Sequence, residues 1–313
     1  MQEIEKSPQP LSSDSIRSGL SLVQKTIDGN GYAFTKLCLN KAALNDISFL
    51  KNFKFLRHVD LNNNLISSID ALENMRHLVT LNCSSNQIKE IPSFISNLEY
   101  LQLLDFSCNN ISSVSLSNME RLVMLNLNKN AIFNVKIDEM KSLVEVDLRG
   151  NSLKSTPLIN AEKLTHLYLA QNQIQEIKDL NLLPSLTHLH LRENQLSNLG
   201  GMEACVSLEY LNLRQNKISK FSVLDKLSML PRLKHLVALG NPMSTEEIYR
   251  LETLFRLPFL DRIDKDNVLD EDKEELEAYK TTRPGDPTEG NTVPNDSTDG
   301  QDSSNVIEEE NES

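Results

Sequence analysis

The stretch LTHLYLAQNQI occupies residues 164–174, and LTHLHLRENQL follows it at residues 186–196. Both fit the pattern L-x-x-L-x-L-x-x-N-x-L, and their asparagines stand 22 residues apart. The pattern recurs along the chain with its asparagine at Asn64, Asn86, Asn109, Asn130, Asn151, Asn172, Asn194 and Asn216. Because successive asparagines are 21 to 23 residues apart, the chain consists of one repeated unit.

Two weaker copies extend the series at its ends. FTKLCLNKAAL at residues 34–44 has Ala42 in the asparagine position, and LKHLVALGNP at residues 233–242 carries Asn241 there. A fixed period of this length with this consensus indicates a leucine-rich repeat solenoid, in which each repeat adds one short strand to a curved parallel sheet. The sequence therefore predicts an α/β solenoid of about ten repeats of 21 to 25 residues, closed by helical N- and C-terminal caps.

The alternation of side chains along a strand explains which positions are kept apolar. Leu167 and Leu169 should point into the solenoid, while His166 and Tyr168 point outward. Stacked repeats then share one apolar core, and each repeat contacts mainly its neighbours. The asparagine turns inward after the strand, where its amide can bond backbone groups of adjacent repeats, so we interpret the asparagines as structural. The rung with Ala42 lacks that amide.

Composition limits the class of protein. The repeat period runs from about residue 34 to residue 242 of the 313, which predicts one elongated domain. The four cysteines form no spaced pairs, so neither a disulfide framework nor a metal motif is expected. The first fifteen residues contain no apolar run, and no stretch approaches the roughly 20 apolar residues that span a membrane. We therefore expect a protein of a reducing compartment, without a membrane partner.

The segments outside the repeats divide by pattern and charge. Residues 281–313 carry one arginine and nine acids, residues 266–280 carry two lysines and seven acids, and the total of −12 leaves about +1 for residues 1–265. The tail is expected to be solvated rather than bound by a specific partner. A helix start at Ser13 or Asp14, and another at Ser244 or Thr245, suggest the caps. The predicted organisation is a disordered lead (1–13), an N-terminal cap helix (14–33), a leucine-rich repeat domain with its C-terminal cap (34–265), an acidic helix (266–280) and a disordered acidic tail (281–313).

The outward residues of the strands suggest where function lies. They are small and polar in the early repeats and become aromatic, histidine-rich and basic from Arg149 onward. Tyrosine and arginine are enriched at protein interfaces, which makes the later rungs a candidate protein-binding surface. The candidate partner-binding residues are Tyr168, His188, His190, Arg192, Tyr210 and Arg214. An acidic or amphipathic segment of a partner is the expected occupant.

Other uses of this face are less favoured. His166, His188 and His190, with Glu145 and Asp147 close by, could be considered for metal binding or catalysis, but a flat ladder offers neither convergent ligands nor a nucleophile. We therefore expect no catalytic residues, no cofactor, no metal and no small-molecule substrate. The few arginines are too sparse for a nucleic-acid surface. A solvated face without a partner is the remaining alternative.

The two ends of the repeat region carry a family resemblance. The run SGLSLVQKTIDGNGYAFTKLCLNKAALNDISFLKNFKFLRHVDLNNN (residues 18–64) and the ending LVALGNPMSTEEIYRLETLFRLPFLDRIDKD (residues 236–266) resemble a family of leucine-rich repeat proteins of the radial spoke in motile cilia and sperm flagella. The resemblance covers roughly residues 14–275. It implies a non-enzymatic scaffold in the axoneme, a subunit of the third radial spoke with other spoke subunits as its partners. The short N-terminal lead and the tail differ from that family.

Two other functional classes stay open. One is a regulatory subunit that holds a phosphatase or a signalling enzyme on its concave face, as other leucine-rich repeat proteins with repeats of this length do. The other is an enzyme, which is disfavoured because the sequence has no nucleophile elbow, no glycine-rich phosphate loop and no metal-spaced cluster.

Overall fold

A computed structural model describes residues 7–26 and 29–282 of the chain. Its main feature is a 13-stranded sheet, parallel except for one antiparallel strand at each end. The strands are β1 (Gln9–Pro10), β2 (Leu20–Lys25), β3 (Tyr32–Cys38), β4 (Leu44–Asp46), β5 (His58–Asp60), β6 (Thr80–Asn82), β7 (Leu103–Asp105), β8 (Ser113–Ser117), β9 (Met124–Asn126), β10 (Asn134–Asp138), β11 (Glu145–Asp147), β12 (Leu158–Ile159), β13 (His166–Tyr168), β14 (His188–His190), β15 (Tyr210–Asn212), β16 (His235–Val237), β17 (Arg262–Ile263) and β18 (Asp266–Asn267). The α-helices are α1 (Ser13–Gly19), α2 (Tyr249–Arg256) and α3 (Asp270–Thr282).

The predicted leucine-rich repeat solenoid is confirmed. Each predicted repeat supplies one strand of the main sheet, and β17 adds a further parallel strand beside β16. The central side chain of each strand points inward and lies in register with its neighbours, as Leu167 does with Leu189. These central residues are buried: Leu37, Val59, Leu81, Leu104, Leu125, Val146, Leu167, Leu189, Leu211 and Leu236. They form a single apolar core that runs along the whole sheet.

The asparagines form the expected internal ladder. In a representative rung, the Oδ1 atom of Asn172 accepts a hydrogen bond from the Leu153 amide at 3.0 Å. Its Nδ2 donates to the carbonyls of Leu148 at 3.0 Å and Leu169 at 3.1 Å. The rung with Ala42 has no such amide, and Asn64 of the next repeat accepts from its backbone instead. The structural interpretation of the asparagines is thus confirmed.

Repeat length determines the backbone opposite the main sheet. Where successive ladder positions are 22 or more residues apart, the connecting segment carries a short 3-10 helix there. The three consecutive repeats with a spacing of 21 residues instead carry β8, β10 and β12, which pair in a second parallel sheet. An extended chain rises about 3.3 Å per residue and a 3-10 helix about 2.0 Å, so a strand crosses the same width with fewer residues. The 3-10 helices are Ser48–Asn52, Asp70–Leu72, Ser93–Asn97, Leu180–Leu182, Met202–Ala204, Phe221–Leu227 and Pro242–Thr245.

The prediction of an N-terminal cap helix over residues 14–33 is wrong beyond its first turns. Helix α1 begins after Ser12, whose side chain caps it, and ends at Gly19. The chain then forms β2, which pairs antiparallel with β3. A Cβ on Gly19 would lie 2.6 Å from the Cys38 carbonyl oxygen, so the close approach to β3 requires glycine there. The hairpin satisfies backbone groups on the outer edge of β3 that a helix would leave unpaired.

The prediction of a disordered lead over residues 1–13 is also wrong in its second half. β1 pairs with β4, and the Leu11 amide donates to the Asp46 carbonyl at 2.8 Å. Leu11 is buried in the core. Two paired residues have no periodicity that a sequence pattern could reveal, which is why this segment was missed. Residues 1–6 lie outside the described residues.

The C-terminal cap differs from the prediction in its boundaries. Pro242–Thr245 is a 3-10 helix, and α2 starts only at Tyr249 because Glu246 is extended. The acidic helix starts at Asp270 rather than at residue 266, since β18 pairs with β17. This helix packs on α2 through the buried Leu276 and through the Arg250 Nε–Asp272 Oδ1 bond of 2.6 Å. Apart from Thr281 and Thr282, which end α3, the predicted acidic tail lies outside the described residues.

Candidate protein-binding surface

Parallel register brings aromatic side chains of four consecutive strands together on the concave face. In one row His166 pairs with His188 and His188 with Tyr210, while Tyr168 pairs with His190 in the next row. Because the strands are about 4.8 Å apart, rings at registered positions are forced into contact. We call this set the aromatic ladder: His166, Tyr168, His188, His190, Tyr210 and His235.

The ring geometry is continuous across the ladder. The His166 and His188 rings stack with centroids 4.4 Å apart, and the rings of Tyr168 and His190 are 4.8 Å apart. Tyr210 joins the two rows, with its ring 5.7 Å from His188 and 4.9 Å from His190. His235 closes the series with its ring edge-on to Tyr210 at 4.8 Å. The rings therefore support one another and present a preformed surface.

Threonines beside the strands orient two of the imidazoles. The Thr187 hydroxyl donates to the Thr165 carbonyl at 3.1 Å, and the same oxygen lies 2.9 Å from Nδ1 of His188. A hydroxyl has one hydrogen, so we assign the proton of His188 to Nδ1, which donates to Thr187. His166 has the same arrangement with Thr165 at 2.8 Å. The Nε2 atoms of both rings are thus acceptors in the neutral form.

Burial within the ladder favours uncharged rings. Burial, followed by the neighbouring His188 and Arg149, lowers the pKa of His190 to about 4. Burial also lowers the pKa of His188, and the nearby His166 adds to this effect. Burial raises the pKa of the Tyr168 hydroxyl. At neutral pH the centre of the ladder is therefore uncharged and polar.

This burial predicts a pH dependence of stability. The histidine pKa is 6.5 without perturbation and about 4 for folded His190, so the unfolded chain binds more protons between these values. Stability should consequently fall as the pH is lowered from about 6.5 towards 4. We expect the Tm of the wild type to drop more between pH 7 and pH 5 than that of His190→Gln, measured by circular dichroism. Parallel drops in the two proteins would contradict the assignment of a half-buried, neutral His190.

A salt-bridged arginine extends the ladder at its N-terminal side. Arg149 holds the Asp147 carboxylate through Nε at 2.9 Å and Nη2 at 2.6 Å. Its guanidinium carbon lies 5.2 Å from the centre of the Tyr168 ring. A planar guanidinium over a tyrosine face adds a cation–π contact, which fixes the tyrosine. The predicted site did not include Arg149, although its outward position in the repeat pattern was visible in the sequence.

The two predicted arginines lie apart from the ring contacts. Arg192 and Arg214 follow their strands at the exit side, where Arg192 binds Glu193 at 2.5 Å. Arg214 has no ion pair with any residue in 7–26 and 29–282; the pKa of Glu193 is lowered mainly by its hydrogen bond from Gln171, and the charges of Arg192 and Arg214 add to this. The structure thus brings four of the six predicted residues into ring contact, namely Tyr168, His188, His190 and Tyr210. The two arginines lie at the charged border of the aromatic ladder.

An apolar depression lies next to the ladder in the middle of the concave face. Leu103 and Met124 are 42% and 41% exposed and pair in register on β7 and β9. They line a cavity of about 400 Å³ together with Asp105, Glu145 and Asp147. Exposed apolar side chains on a concave face are typical of binding surfaces. The prediction missed them because it weighted tyrosine and arginine over leucine and methionine.

The described residues show little that suggests chemistry at this face. Among residues 7–26 and 29–282, no group of three or more His, Cys, Asp or Glu side chains is placed to hold a metal ion. Burial raises the pKa of the Cys83 thiol well above its usual range and that of Cys205 to about 12, so neither is an activated nucleophile. In the same part of the chain, no helix has the length and apolar character needed to cross a membrane.

Solved structures support the fold. A chain of the LRIM1/APL1C complex aligns with a TM-score of 0.59 at 20% identity, covering 74% of this chain and 43% of that chain. A leucine-rich repeat protein of Leptospira interrogans aligns with a TM-score of 0.50 at 22% identity, covering 73% and 65%. Identity at this level shows a shared fold alone.

Sequence comparisons define the family. The family described as "Leucine-rich repeat region" matches residues 36–278. Leucine-rich repeat-containing protein 23 of Homo sapiens is 39% identical over 277 residues, which cover 87% of this chain and 80% of the human protein. The protein of the same name from Xenopus tropicalis is 40% identical over 317 residues, covering 88% and 79%. By its repeats, its ends and these relatives, the chain belongs to the family of leucine-rich repeat-containing protein 23.

Proposed function

We propose that this protein is a structural subunit of the radial spoke, and of the third spoke in particular, that docks partner subunits on its aromatic ladder. The observation that carries the docking proposal is the unbroken ring contact from His166 to His235 over four consecutive strands. The repeat architecture is that of a protein-interaction scaffold. The docking proposal gives this scaffold a specific binding face.

The physical properties of the ladder suit a protein partner. Tyrosine rings offer a large contact area with a polar tip, and such residues dominate the energetics of interfaces. The rings are already held by their neighbours, by Thr165 and Thr187, and by Arg149, so binding requires little additional ordering. A partner would bury this surface without reorganising the sheet.

The chemistry of the ladder favours an amphipathic segment over an acidic one. His188 and His190 have lowered pKa values and are neutral near pH 7, so they offer no positive charge to a carboxylate. The Nε2 acceptors of the half-buried His166 and His188 instead suit hydrogen-bond donors. A helix laid across the strands rises about 5.4 Å per turn, close to the strand spacing of about 4.8 Å. Residues three or four apart on such a helix would meet successive rungs.

The spoke assignment rests on the family. The chain belongs to the leucine-rich repeat-containing protein 23 family, and its entry and exit segments resemble radial spoke components of motile cilia and sperm flagella. On this proposal the protein resides in the axoneme of the cilium or flagellum, as part of the cytoskeleton. It would contribute to cilium movement and sperm motility as a scaffold, without catalysis.

Fractionation of ciliated cells tests this function. A tagged copy expressed at native level should stay with axonemes after detergent removes the membrane and soluble proteins, and should crosslink to radial spoke subunits. The same tagged copy in cells without cilia should purify without a stoichiometric enzyme. Detergent-soluble protein that co-purifies with a phosphatase catalytic subunit in both cell types would replace the spoke assignment with the regulatory-subunit alternative.

A further inference from the structure

A basic groove lies at the opposite end of the solenoid from α3. It has a volume of about 490 Å³ and opens on the side where the chain enters β5 and β6. We call it the basic groove, and its lining residues are Lys51, Lys54, Phe55, Asn74, Arg76 and His77. No acidic side chain lines it. The groove is separate from the aromatic ladder, so its use does not depend on the proposed spoke function.

The positive charges of the groove are not neutralised within the described chain. Among residues 7–26 and 29–282, neither lysine nor Arg76 forms an ion pair, although all three are exposed. By contrast, Lys178 of a later repeat binds Glu176 at 2.7 Å. The pKa of the Asp46 carboxylate is lowered mainly by its hydrogen bonds with Ser48, whose hydroxyl donates at 2.5 Å, and to a lesser degree by the charge of Lys51. The groove therefore presents three uncompensated cations.

The groove also has an apolar floor. Phe55 lines the groove, and the Nζ atom of Lys54 is 5.1 Å from the centre of its ring. A phosphate or a single carboxylate would use only the charges. An extended peptide with one apolar residue beside several acids would use both the charges and the ring, because the apolar side chain covers Phe55 while carboxylates reach the cations.

The chain itself contains a segment of this composition. Residues 283–313 hold nine acids and one arginine, and the run VIEEENE at residues 306–312 places two apolar residues directly before three glutamates, with a fourth at residue 312. By contrast, residues 1–265 carry a net charge of about +1. The largest excess of negative charge and the unpaired positive groove thus belong to the same molecule.

We propose that residues 306–312 of this chain bind the basic groove of the same molecule, with Ile307 over Phe55 and the glutamates on Lys51, Lys54 and Arg76. The residues after α3 are numerous enough to reach the basic groove. β5 and β17 are nine strand steps apart in the sheet, roughly 43 Å at the usual spacing. The residues between α3 and position 306 reach roughly 80 Å when extended.

Tethering makes such a weak contact effective. Because the segment and the groove belong to one chain, the contact is intramolecular, which favours it over binding to a second copy at ordinary protein concentrations. The closed tail would cover the basic groove until a more acidic or better-fitting partner displaced it. Exposed ion pairs are screened by salt, so closure should weaken at high ionic strength.

Zero-length carbodiimide coupling of the full-length chain tests the proposal. The monomer is isolated after coupling at about 50 mM salt, and amide links between lysines and glutamates are mapped by mass spectrometry. We expect links from Lys51 and Lys54 to residues 308–312 to exceed links to the exposed Lys89 and Lys136. Their yield should fall about tenfold at about 500 mM salt, because surface ion pairs are weak and screened.

A charge reversal that keeps both lysines separates specific binding from general attraction. Arg76→Glu should lower the yield of these links about tenfold at low salt. Arg232→Glu is the matched control, because Arg232 is exposed, lies in the segment before β16 and has no ion pair within the described residues. Links spread evenly over all exposed lysines, links found only in dimers, or equal yields in the two variants would each overturn the proposal.

Discussion

Replacing Asn172 with alanine is expected to lower the free energy of unfolding by about 1 to 3 kcal/mol, because the buried Leu153 N–H loses its hydrogen-bond partner. Asn172 is 8% exposed, and its amide serves the Leu153 N–H and the carbonyls of Leu148 and Leu169 at 3.0 to 3.1 Å. Alanine would leave the Leu153 N–H without a partner in the interior, while the carbonyls of Leu148 and Leu169 would each lose one of two donors and keep Asn151 and Asn194. Urea denaturation followed by circular dichroism measures the loss.

An exposed asparagine provides the control for this result. Asn110 follows a ladder asparagine directly but is exposed, so Asn110→Ala should change the stability by less than about 0.5 kcal/mol. Asn241 makes the same kind of bonds as Asn172, accepting from Ile218 at 3.0 Å and donating to Leu213 at 2.9 Å. We therefore expect Asn241→Ala to be as costly, despite its place before Pro242. Equal stability of Asn172→Ala and the wild type would contradict a structural ladder.

The sequence predicted the repeats because they are fixed by a local pattern that recurs. Leu167 and Leu189 face inward in strands whose alternation is visible in the sequence, and each buried amide stands at a constant distance from them. The structure adds that repeat length correlates with the backbone opposite the main sheet, since the 21-residue steps are those with strands there. Repetition converts a weak local signal into a strong one.

The ends of the solenoid could not be predicted in the same way. Residues Leu20–Lys25 contain apolar residues that also fit a helical face, and only the open edge of β3 decides that they form a strand. Leu11 is buried through a two-residue pairing with β4 that no sequence period announces. Such non-repeated segments depend on long-range partners, which a pattern read along the chain does not contain.

The candidate site was predictable in its position but not in its contacts. The outward positions of the repeat pattern predicted that Tyr168, His190 and Tyr210 are neighbours, because parallel strands align equivalent residues. It did not indicate that Arg149 would hold Asp147 and cover the Tyr168 ring, which depends on side-chain rotamers. The contacts of Arg149 with Asp147 and Tyr168 are therefore known only from the structure.

The triple change Tyr168→Ser, His190→Ser and Tyr210→Ser is expected to abolish docking on the aromatic ladder. Each residue contributes a ring to the centre of the surface, and interface residues of this type individually account for about 2 kcal/mol or more when they are hot spots. None of the three is part of the buried core. Loss of their mutual contacts should lower the Tm by only about 2 to 6 °C.

A second triple variant on the same face controls for the loss of concave side chains in general. The changes His58→Ser, Asn62→Ser and Thr80→Ser lie on consecutive rungs of the N-terminal half, where the His58 Nδ1 and Thr80 Oγ1 atoms are 3.0 Å apart. These side chains are partly buried like those of the ladder. This control variant should therefore have a Tm close to that of the Tyr168, His190 and Tyr210 variant, while its aromatic ladder stays intact.

The most direct measurement is the amount of each protein that remains on detergent-extracted axonemes, in ciliated cells whose own copy has been replaced. We expect the wild type and the N-terminal triple variant to be retained equally. The Tyr168, His190 and Tyr210 variant should fall below about a tenth of that level while staying folded, given the energies of interface hot spots. Retention of this variant at the wild-type level would show that the aromatic ladder is not the docking surface.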